Sequence, residues 1–334
     1  MTAPLLELRD VKTYFAVRKG LLFDRQVGLV KAVDGVTLEV PAGEILGVVG
    51  ESGCGKSTLA RTILQLVKPS AGRILYNGHD LTALRREQLR RFRPRLQMIF
   101  QDPYSSLNPR MTVLDAIAEP MLAHGLARRG EVRQRVEALM EQVGLSPKHL
   151  YKYPHEFSGG QRQRLAIARA LGLEPELLIA DEPVSALDVS VQAQILNLLT
   201  RLCRDRNLTL IFIAHDLGVV RYLADRIAVM YLGHIVELGE GEQIFTNPLH
   251  PYTRALLSAI PAPDPEKEQT RRRILLRGEP PSPMNPPAGC AFHPRCPHAT
   301  AACAEKIPPL EEHCGSHRAA CIHVEDLPPF TAGV

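Results

Sequence analysis

The most informative segment of this 334-residue sequence is Gly50-Glu-Ser-Gly-Cys-Gly-Lys-Ser-Thr58. It matches the pattern G-x-x-x-x-G-K-[ST], in which backbone N–H groups and a helix N-terminus face phosphate oxygens. The largely apolar residues 44–49 before it predict a buried strand, and residues 57–64 after it predict a helix. Because a phosphate-binding loop needs this strand–loop–helix context, an ordinary glycine-rich turn is the weaker interpretation.

The residue types of this loop predict how it binds a nucleotide. Gly53 and Gly55 let the backbone approach a phosphate where a Cβ would clash. The Lys56 ammonium can reach the β- and γ-phosphates, and the Ser57 hydroxyl can ligate Mg²⁺. The predicted ATP-binding residues of the loop are Gly50, Glu51, Ser52, Gly53, Cys54, Gly55, Lys56, Ser57 and Thr58.

A second apolar segment, Leu177-Leu-Ile-Ala-Asp-Glu182, ends in two acids. It predicts a buried parallel strand that delivers carboxylates at its C-terminal edge. We expect Asp181 to hold Mg²⁺ through water, and Glu182 to orient or deprotonate the attacking water. The alternative is a strand that merely ends in a surface acid. Two adjacent acids in a chain that already carries a phosphate-binding loop argue against it.

Ser158-Gly-Gly-Gln161, with residues 162–170 behind it, resembles the signature sequence of ATP-binding cassette (ABC) proteins. Other motifs resemble that family in the expected order, over about residues 5–260. They are a Q-loop glutamine that senses Mg²⁺, a D-loop, a switch histidine that contacts the γ-phosphate, and an aromatic residue that stacks on adenine. The matching residues are, in that order, Gln101; Ser185, Ala186, Leu187 and Asp188; His215; and Phe15 or its neighbour Tyr14.

This resemblance implies an α/β fold, the P-loop NTPase ATP-binding cassette, over residues 1–260. Its parts are a RecA-like core, an antiparallel β subdomain and an α-helical signature subdomain at about residues 102–172. Because the acid after the strand and the signature are both intact, the resemblance implies an active ATPase. The implied catalytic residues are Glu182, His215, Lys56 and Gln101, and the implied Mg²⁺ ligands are Ser57, Gln101 and Asp181. The signature residues that would complete the ATP site of a second cassette are Ser158, Gly159, Gly160 and Gln161.

Local patterns outline the elements around these motifs. Residues 5–49 predict mainly strands, interrupted by a loop at residues 17–23, and residues 112–143 predict helices, as does the segment after the signature. Apolar runs at residues 209–214 and 226–230 predict further strands. The second of them opens a hairpin with its turn at Gly233.

Three segments, residues 101–109, 182–192 and 247–258, resemble the cassettes of peptide importers. The loop at residues 17–23 resembles that of one of two paired cassettes in dipeptide and oligopeptide permeases. The implied partners are a second, similar ATPase subunit (or a second copy of this chain), two transmembrane permease subunits and an extracytoplasmic substrate-binding protein. The implied location is the cytoplasmic face of the cell (inner) membrane. Residues 104–111 would receive a permease coupling helix, unless they form a plain polar loop.

Residues 261–334 predict a separate C-terminal extension, because proline becomes frequent and the periodicity of helices and strands fades. Five of the seven cysteines lie there: Cys290, Cys296, Cys303, Cys314 and Cys321. In a reducing compartment such a set predicts a metal site and not disulfides, and the alternative is a loose tail with free thiols. The cysteine spacing leaves both Zn²⁺ and an iron–sulfur cluster open.

A further resemblance bears on that choice. Residues 289–297 resemble the C-terminal motif of peptide-importer cassettes, in which four cysteines hold a 4Fe-4S cluster. The implied ligands are Cys290, Cys296, Cys303 and Cys321, with Cys314 as an extra cysteine. A structural role is expected for this cluster, since metal binding adds folding free energy. Elsewhere, Cys203 is expected to be a buried helix thiol, and Cys54 an oxidation-sensitive position.

Composition narrows the classes of function. The sequence has no run of eighteen apolar residues, and its start lacks the basic and apolar zones of a signal peptide. The net charge of +4 comes from basic residues interleaved with acids, so no nucleic-acid partner is expected. Three alternatives stay open: an importer for nickel or another small solute, a soluble ABC ATPase acting on nucleic acid or ribosomes, and a cassette that regulates its Cys-rich tail as a binding module.

Overall fold

The computed structural model describes residues 3–19, 25–102, 106–261, 273–276 and 278–330. The chain divides into two compact units. The first comprises Met1–Val40, Leu46–Thr82 and Ala214–Val334, and the second comprises Pro41–Ile45 and Ala83–Ile213. The phosphate-binding loop therefore belongs to the first unit, and the signature segment belongs to the second.

Strands and helices alternate along most of the chain, as an α/β fold requires. The described strands are β1 (Leu6–Lys19), β2 (Arg25–Val40), β3 (Ile45–Val49), β4 (Ala71–Tyr76), β5 (His79–Asp80), β6 (Leu96–Ile99), β7 (Leu177–Asp181), β8 (Thr209–Ala214), β9 (Arg226–Tyr231), β10 (His234–Glu240), β11 (Glu311–Cys314) and β12 (His317–Ala319). The described α-helices are α1 (Lys56–Ile63), α2 (Arg86–Arg90), α3 (Val113–Ala123), α4 (Val132–Gln142), α5 (Gly159–Leu171), α6 (Val189–Arg206), α7 (Leu217–Val220), α8 (Gly241–Thr246) and α9 (Pro251–Ala259).

An antiparallel sheet with the strand order β2-β1-β4-β5 forms one layer of the first unit. Leu6, Leu8 and Val11 of β1 are fully buried on its inner face. The predicted loop at residues 17–23 is wrong in its first three residues, because residues 17–19 still pair with β2. The remaining part of that loop, residues 20–23, lies outside the described residues.

A second sheet in the first unit carries the phosphate-binding loop. Its strands follow the order β11-β12-β10-β9-β3, with β3 parallel to β9 and β10 antiparallel to β9. The β9–β10 hairpin turns at Leu232 and Gly233, whose φ angles are 44° and 85°, so the predicted turn is confirmed. Helix α1 follows β3 and buries the apolar side chains of Leu59 and Ile63.

The extension contributes two short strands that the sequence pattern did not predict. Strand β12 pairs with β10 through Glu237 opposite Ala319 and Leu238 opposite Arg318, and β11 pairs with β12. These strands have only four and three residues, which is too short for a period of two to show. The extension therefore continues a sheet of the first unit.

In the second unit, strands β8, β7 and β6 are neighbours in that order and run parallel to one another. Every residue of β7 and β8 is buried, as expected for parallel strands that are covered on both faces. The predicted helical region contains α3, α4 and α5, which pack on one another. Helix α3 begins after Thr112, whose hydroxyl accepts a hydrogen bond of 3.2 Å from the Asp115 N–H. Within the described ranges, no helix is both long and apolar enough to cross a bilayer.

Candidate functional site

The phosphate-binding loop makes two close backbone approaches that only glycine permits. Gly50 and Gly55 have φ angles of 154° and 110°. A Cβ at Gly50 would lie 2.1 Å from the Met230 carbonyl oxygen, and one at Gly55 would lie 2.0 Å from the Ala32 carbonyl oxygen. A side chain at either position would displace the backbone of the loop.

Lys56, the first residue of α1, is buried with its ammonium inside the loop. Its Nζ donates to the carbonyl oxygens of Gly50 at 2.7 Å and Glu51 at 3.0 Å. These carbonyls compensate the burial of a charge that would otherwise be costly. Phosphate oxygens are charged acceptors and form stronger hydrogen bonds with an ammonium than neutral carbonyls do. The loop therefore holds an ammonium group at a place where it can donate hydrogen bonds to a bound phosphate.

The two aromatic candidates for adenine stacking, Tyr14 and Phe15, differ in their surroundings. The Tyr14 hydroxyl donates to the Asp34 carboxylate at 2.5 Å, and the Lys31 ammonium lies 5.8 Å from the centre of its ring. Burial is the main reason that the pKa of Tyr14 is raised, and the hydrogen bond to Asp34 adds to it. Phe15 has no polar group and is 42% exposed. Phe15 is thus the ring with a face available to a base.

The paired acids lie at the end of β7 in the second unit. Asp181 is buried at 2% exposure and closes the strand. The next residue, Glu182, has a φ of 46°, in the left-handed region, and its N–H donates to the Ile213 carbonyl oxygen at 3.0 Å. Gln101 Nε2 donates to Glu182 Oε2 at 3.0 Å. The structure therefore brings together the predicted Q-loop glutamine and the predicted catalytic acid.

The signature residues form the N-terminus of α5. The Ser158 hydroxyl accepts from the Gln161 N–H at 3.4 Å, and the Gln161 side chain accepts from the Ser158 N–H at 3.1 Å. This reciprocal pair is a capping box, which fixes where the helix begins. A Cβ at Gly160 would lie 2.4 Å from the Val191 side chain, so α5 packs closely there. The positive end of the dipole of this thirteen-residue helix therefore lies at the signature residues.

The predicted D-loop is a turn between the predicted catalytic acid and α6. Ser185 Oγ donates to the Glu182 carbonyl oxygen at 3.1 Å, and the Leu187 N–H donates to the Val184 carbonyl oxygen at 3.1 Å. Asp188 is the N-cap residue of α6. The geometry of this turn therefore depends on the backbone of Glu182.

The predicted site residues are distributed over the two units. Lys56, Ser57 and His215 belong to the first unit, and Gln101, Asp181 and Glu182 belong to the second. His215 is exposed directly after β8. The roles predicted for it and for the Mg²⁺ ligands Ser57, Gln101 and Asp181 stay predictions.

The cysteine-rich extension belongs to the first unit. Cys303 is buried, Cys290, Cys296 and Cys321 are half-buried, and Cys314 is exposed. The Cys290 N–H donates to the Cys303 carbonyl oxygen at 2.8 Å, which joins two parts of the predicted ligand set. Across the described part of the chain, no group of three or more His, Cys, Asp or Glu side chains is arranged to hold a metal ion.

Electrostatic interactions nevertheless link the four cysteines of the predicted ligand set. Burial raises the pKa of Cys290 and of Cys321, and it raises that of Cys296 to about 11. Each of these three pKa values is raised further by charge on other members of the set, Cys303 included. The four thiols therefore lie within electrostatic range of one another.

The two remaining cysteines are both buried. Cys203 lies in α6, where burial raises the pKa of its thiol to about 12, so the prediction of a buried helix thiol is confirmed. Burial also raises the pKa of Cys54 in the phosphate-binding loop. Because the thiolate is the form that oxidants attack, this direction argues against the predicted oxidation sensitivity of Cys54.

Sequence reasoning missed a contact between the extension and the phosphate-binding loop. The Arg295 guanidinium makes a bidentate ion pair with the Glu51 carboxylate, at 2.7 Å and 3.1 Å. The Tyr252 hydroxyl accepts from the Glu51 N–H at 2.8 Å. Phe292, three residues before Arg295, packs against the rings of Tyr231 and Tyr252, with centroids 5.3 Å and 5.4 Å apart. No local pattern marks a pair that is 244 residues apart in sequence.

A groove of about 200 Å³ lies in the second unit, next to the Q-loop. Residues 97–100 of the β6 region form one wall, and residues of α3 and α5, including Pro120 and Arg169, form the other. Arg169 donates to the Ser106 carbonyl oxygen and lies 3.7 Å from the Glu119 carboxylate. The predicted coupling segment, residues 104–111, is partly outside the described residues, but Ser106 lines this groove.

Comparisons with known proteins identify the family of this chain. A family model described as "ABC transporter" matches residues 33–185, and one described as "Oligopeptide/dipeptide transporter, C-terminal region" matches residues 236–303. The Bacillus subtilis oligopeptide transport ATP-binding protein AppF is 55% identical over 95% of this chain and 96% of its own length. The chain belongs to the ATP-binding subunits of ABC transporters. As a member of this family it is an ATPase whose activity is coupled to transport.

Other relatives support the same assignment. The Escherichia coli oligopeptide transport ATP-binding protein OppF is 55% identical to this ABC subunit over 97% of both chains. The solved dimeric structure of the ATP-binding cassette MJ0796 with ADP and Pi, 28% identical, superposes with a TM-score of 0.63. That match covers 70% of this ABC subunit and 98% of the solved chain. The predicted P-loop NTPase cassette fold is therefore confirmed.

Proposed function

We propose that this ABC subunit hydrolyses ATP to drive the uptake of peptides through a membrane importer. The observation that carries the proposal is identity of 55% over nearly the whole chain to relatives named for oligopeptide transport. The match of residues 236–303 to the C-terminal region of oligopeptide and dipeptide transporters adds to it. The subunit would act at the cytoplasmic face of the cell membrane, as the ATPase of such an importer must.

The residues present suit hydrolysis of the γ-phosphate bond. Glu182 would orient the attacking water and accept its proton, and Gln101, which donates to Glu182 Oε2 at 3.0 Å, would hold the carboxylate in place. Lys56 would exchange its two carbonyl partners for phosphate oxygens and stabilise the charge that develops on them. His215 would contact the γ-phosphate. When bound, Mg²⁺ would neutralise phosphate charge.

The side chains that would hold Mg²⁺ are Ser57, Asp181 and Gln101. Their donor set consists of a hydroxyl, a carboxylate and an amide oxygen, which are the hard oxygen ligands that Mg²⁺ prefers. The base of the nucleotide would stack on Phe15, because the Phe15 ring is exposed whereas the Lys31 ammonium lies over the ring of Tyr14. The triphosphate would lie along residues 50–58, which form the loop and the first residues of α1, and would accept hydrogen bonds from their N–H groups.

The signature turn at Ser158–Gln161 would complete the ATP site of a second cassette. A capped helix N-terminus can bind the phosphate of a nucleotide held by another subunit. The second subunit would be a similar but distinct chain, since the resemblance is to one of two paired permease cassettes. The groove beside Phe100 and Arg169 would receive a coupling helix from one of two permease subunits. An extracytoplasmic binding protein would deliver the peptide.

Cys290, Cys296, Cys303 and Cys321 would hold a 4Fe-4S cluster in the extension. The four thiols lie within electrostatic range of one another, which supports grouping them in one site. Backbone N–H groups also donate to the sulfurs of Cys303 and Cys321 at 3.5 Å. Such hydrogen bonds are typical around cluster thiolates. A cluster would supply folding free energy to an extension with little apolar core of its own.

The decisive experiment is peptide uptake by the whole importer in proteoliposomes. The importer with unaltered subunits should accumulate labelled peptide only when ATP is supplied, and Glu182→Gln should abolish uptake while ATP still binds. Glu240→Gln, an exposed acid before α8, serves as the matched control. Uptake of nickel but not of peptide would overturn the substrate, and full uptake by the Glu182→Gln importer would overturn the catalytic assignment.

A further inference from the structure

Glu51 places a carboxylate in the loop that is predicted to bind a triphosphate. Its carboxylate lies one residue after Gly50, and its carbonyl oxygen is 3.0 Å from Lys56 Nζ. An unpaired carboxylate there would repel phosphate oxygens, because like charges interact strongly where water is partly excluded. The side chain of Glu51 is 28% exposed, so solvent screens it only in part.

Arg295 of the extension compensates this charge. The two parallel contacts of 2.7 Å and 3.1 Å form the bidentate geometry that makes arginine–carboxylate pairs specific. The Arg295 side chain is only 7% exposed, and its Nη1 also donates to the Tyr231 hydroxyl at 3.4 Å. The guanidinium therefore contacts both the Glu51 carboxylate and the hydroxyl of Tyr231, a residue outside the loop.

The segment around Arg295 is itself fixed to the first unit. Phe292 is 1% exposed and packs on the buried rings of Tyr231 and Tyr252. Tyr252 also accepts from the Glu51 N–H, so the same aromatic cluster holds Glu51 by its backbone. Glu51 is thus tied at its N–H, its carbonyl oxygen and its carboxylate, and two of these three ties come from residues after position 230.

We propose that Arg295 is a positioning residue of the ATP site: it neutralises and orients Glu51, so that the C-terminal extension sets the affinity of the phosphate-binding loop for ATP. The inference rests on ATP binding by this loop, which Lys56→Ala tests separately. It assigns the extension a role in nucleotide binding in addition to any metal that it holds.

The test measures binding of a fluorescent ATP analogue to the full-length protein. Arg295→Gln should weaken binding about tenfold, a loss of about 1.4 kcal/mol, because it leaves the Glu51 carboxylate uncompensated. Adding Glu51→Gln to that variant should restore affinity to within about threefold of the unaltered chain, since the repelling charge is then absent. Raising the salt concentration should shrink the defect of Arg295→Gln.

Two controls separate this role from a purely structural one. Arg318→Gln removes an exposed arginine of the same extension and should leave ATP affinity unchanged. Hydrogen exchange should quicken at the amides of residues 50–56 in Arg295→Gln but not in Arg318→Gln. Unchanged affinity in Arg295→Gln would overturn the proposal, and so would a double variant that binds no better than Arg295→Gln alone. Loss of binding in Arg318→Gln as well would also overturn the proposal, because the effect would then not depend on the pairing of Arg295 with Glu51.

Discussion

A buried carboxylate in β10 provides the sharpest test of how the extension is attached. Glu237 is 0% exposed and accepts three hydrogen bonds: from the Leu249 N–H at 2.7 Å, from the His250 N–H at 2.9 Å and from His317 Nε2 at 2.8 Å. His317 belongs to β12, so one side chain joins the extension to the segment before α9. Glu237→Ala would leave three buried donors without their acceptor.

The expected loss of stability follows from these three contacts. A buried donor left without a partner costs about 1–3 kcal/mol, and relaxation around the smaller side chain recovers part of the total. We therefore expect Glu237→Ala to lower the free energy of unfolding of the first unit by about 3–5 kcal/mol, the range seen when one partner of a buried pair is removed. Faster hydrogen exchange should accompany it in β10 and β12.

Urea unfolding that is monitored by hydrogen-exchange mass spectrometry measures this loss of stability for each unit separately. Glu242→Ala changes an acid at the start of α8 and serves as the matched control, with an expected change below about 0.5 kcal/mol. A loss below about 1 kcal/mol for Glu237→Ala would refute the reasoning, because it would mean that water satisfies the three donors. Equal destabilisation of the second unit would refute the local assignment.

Three further outcomes are expected. Gly55→Ala should abolish binding of a fluorescent ATP analogue, whereas Gly53→Ala, with nothing within 4 Å of its added Cβ, should weaken it less. Burial lowers the pKa of His250 to about 4, so between pH 6.5 and 4 the unfolded chain binds the proton more readily. Calorimetry should then show stability falling by about 1.4 kcal/mol per pH unit in that window as pH falls, a slope that His250→Asn flattens. Anaerobically purified protein should show broad brown absorbance that Cys321→Ser removes and Cys314→Ser keeps; stoichiometric zinc in colourless protein would contradict the cluster.

The phosphate-binding loop could be predicted from sequence because its chemistry is local. Gly50 to Thr58 are contiguous, and the apolar strands before this loop and at Asp181 have a composition that is typical of buried parallel strands. The signature turn was equally predictable, since Ser158 and Gln161 have the spacing of a capping box. These features depend on neighbours a few residues away.

Features that depend on distant partners could not be predicted. The different surroundings of Tyr14 and Phe15 depend on a hydrogen bond from Tyr14 to Asp34, which lies in a different strand. The extent of β1 depends on pairing with β2, which continues through residues 17–19. The pairing of Arg295 with Glu51 depends on how the extension folds back, and no pattern of the extension encodes its target.

The left-handed backbone of Glu182 has a consequence for the evolution of inactive cassettes. A non-glycine residue at a φ of 46° costs about 1–2 kcal/mol, which glycine would not incur. Replacing this acid with glycine would therefore relax the chain at the same position where it removes the proton acceptor. Loss of turnover here would come with relief of backbone strain, set against the loss of the Gln101 contact and the greater freedom of glycine in the unfolded chain.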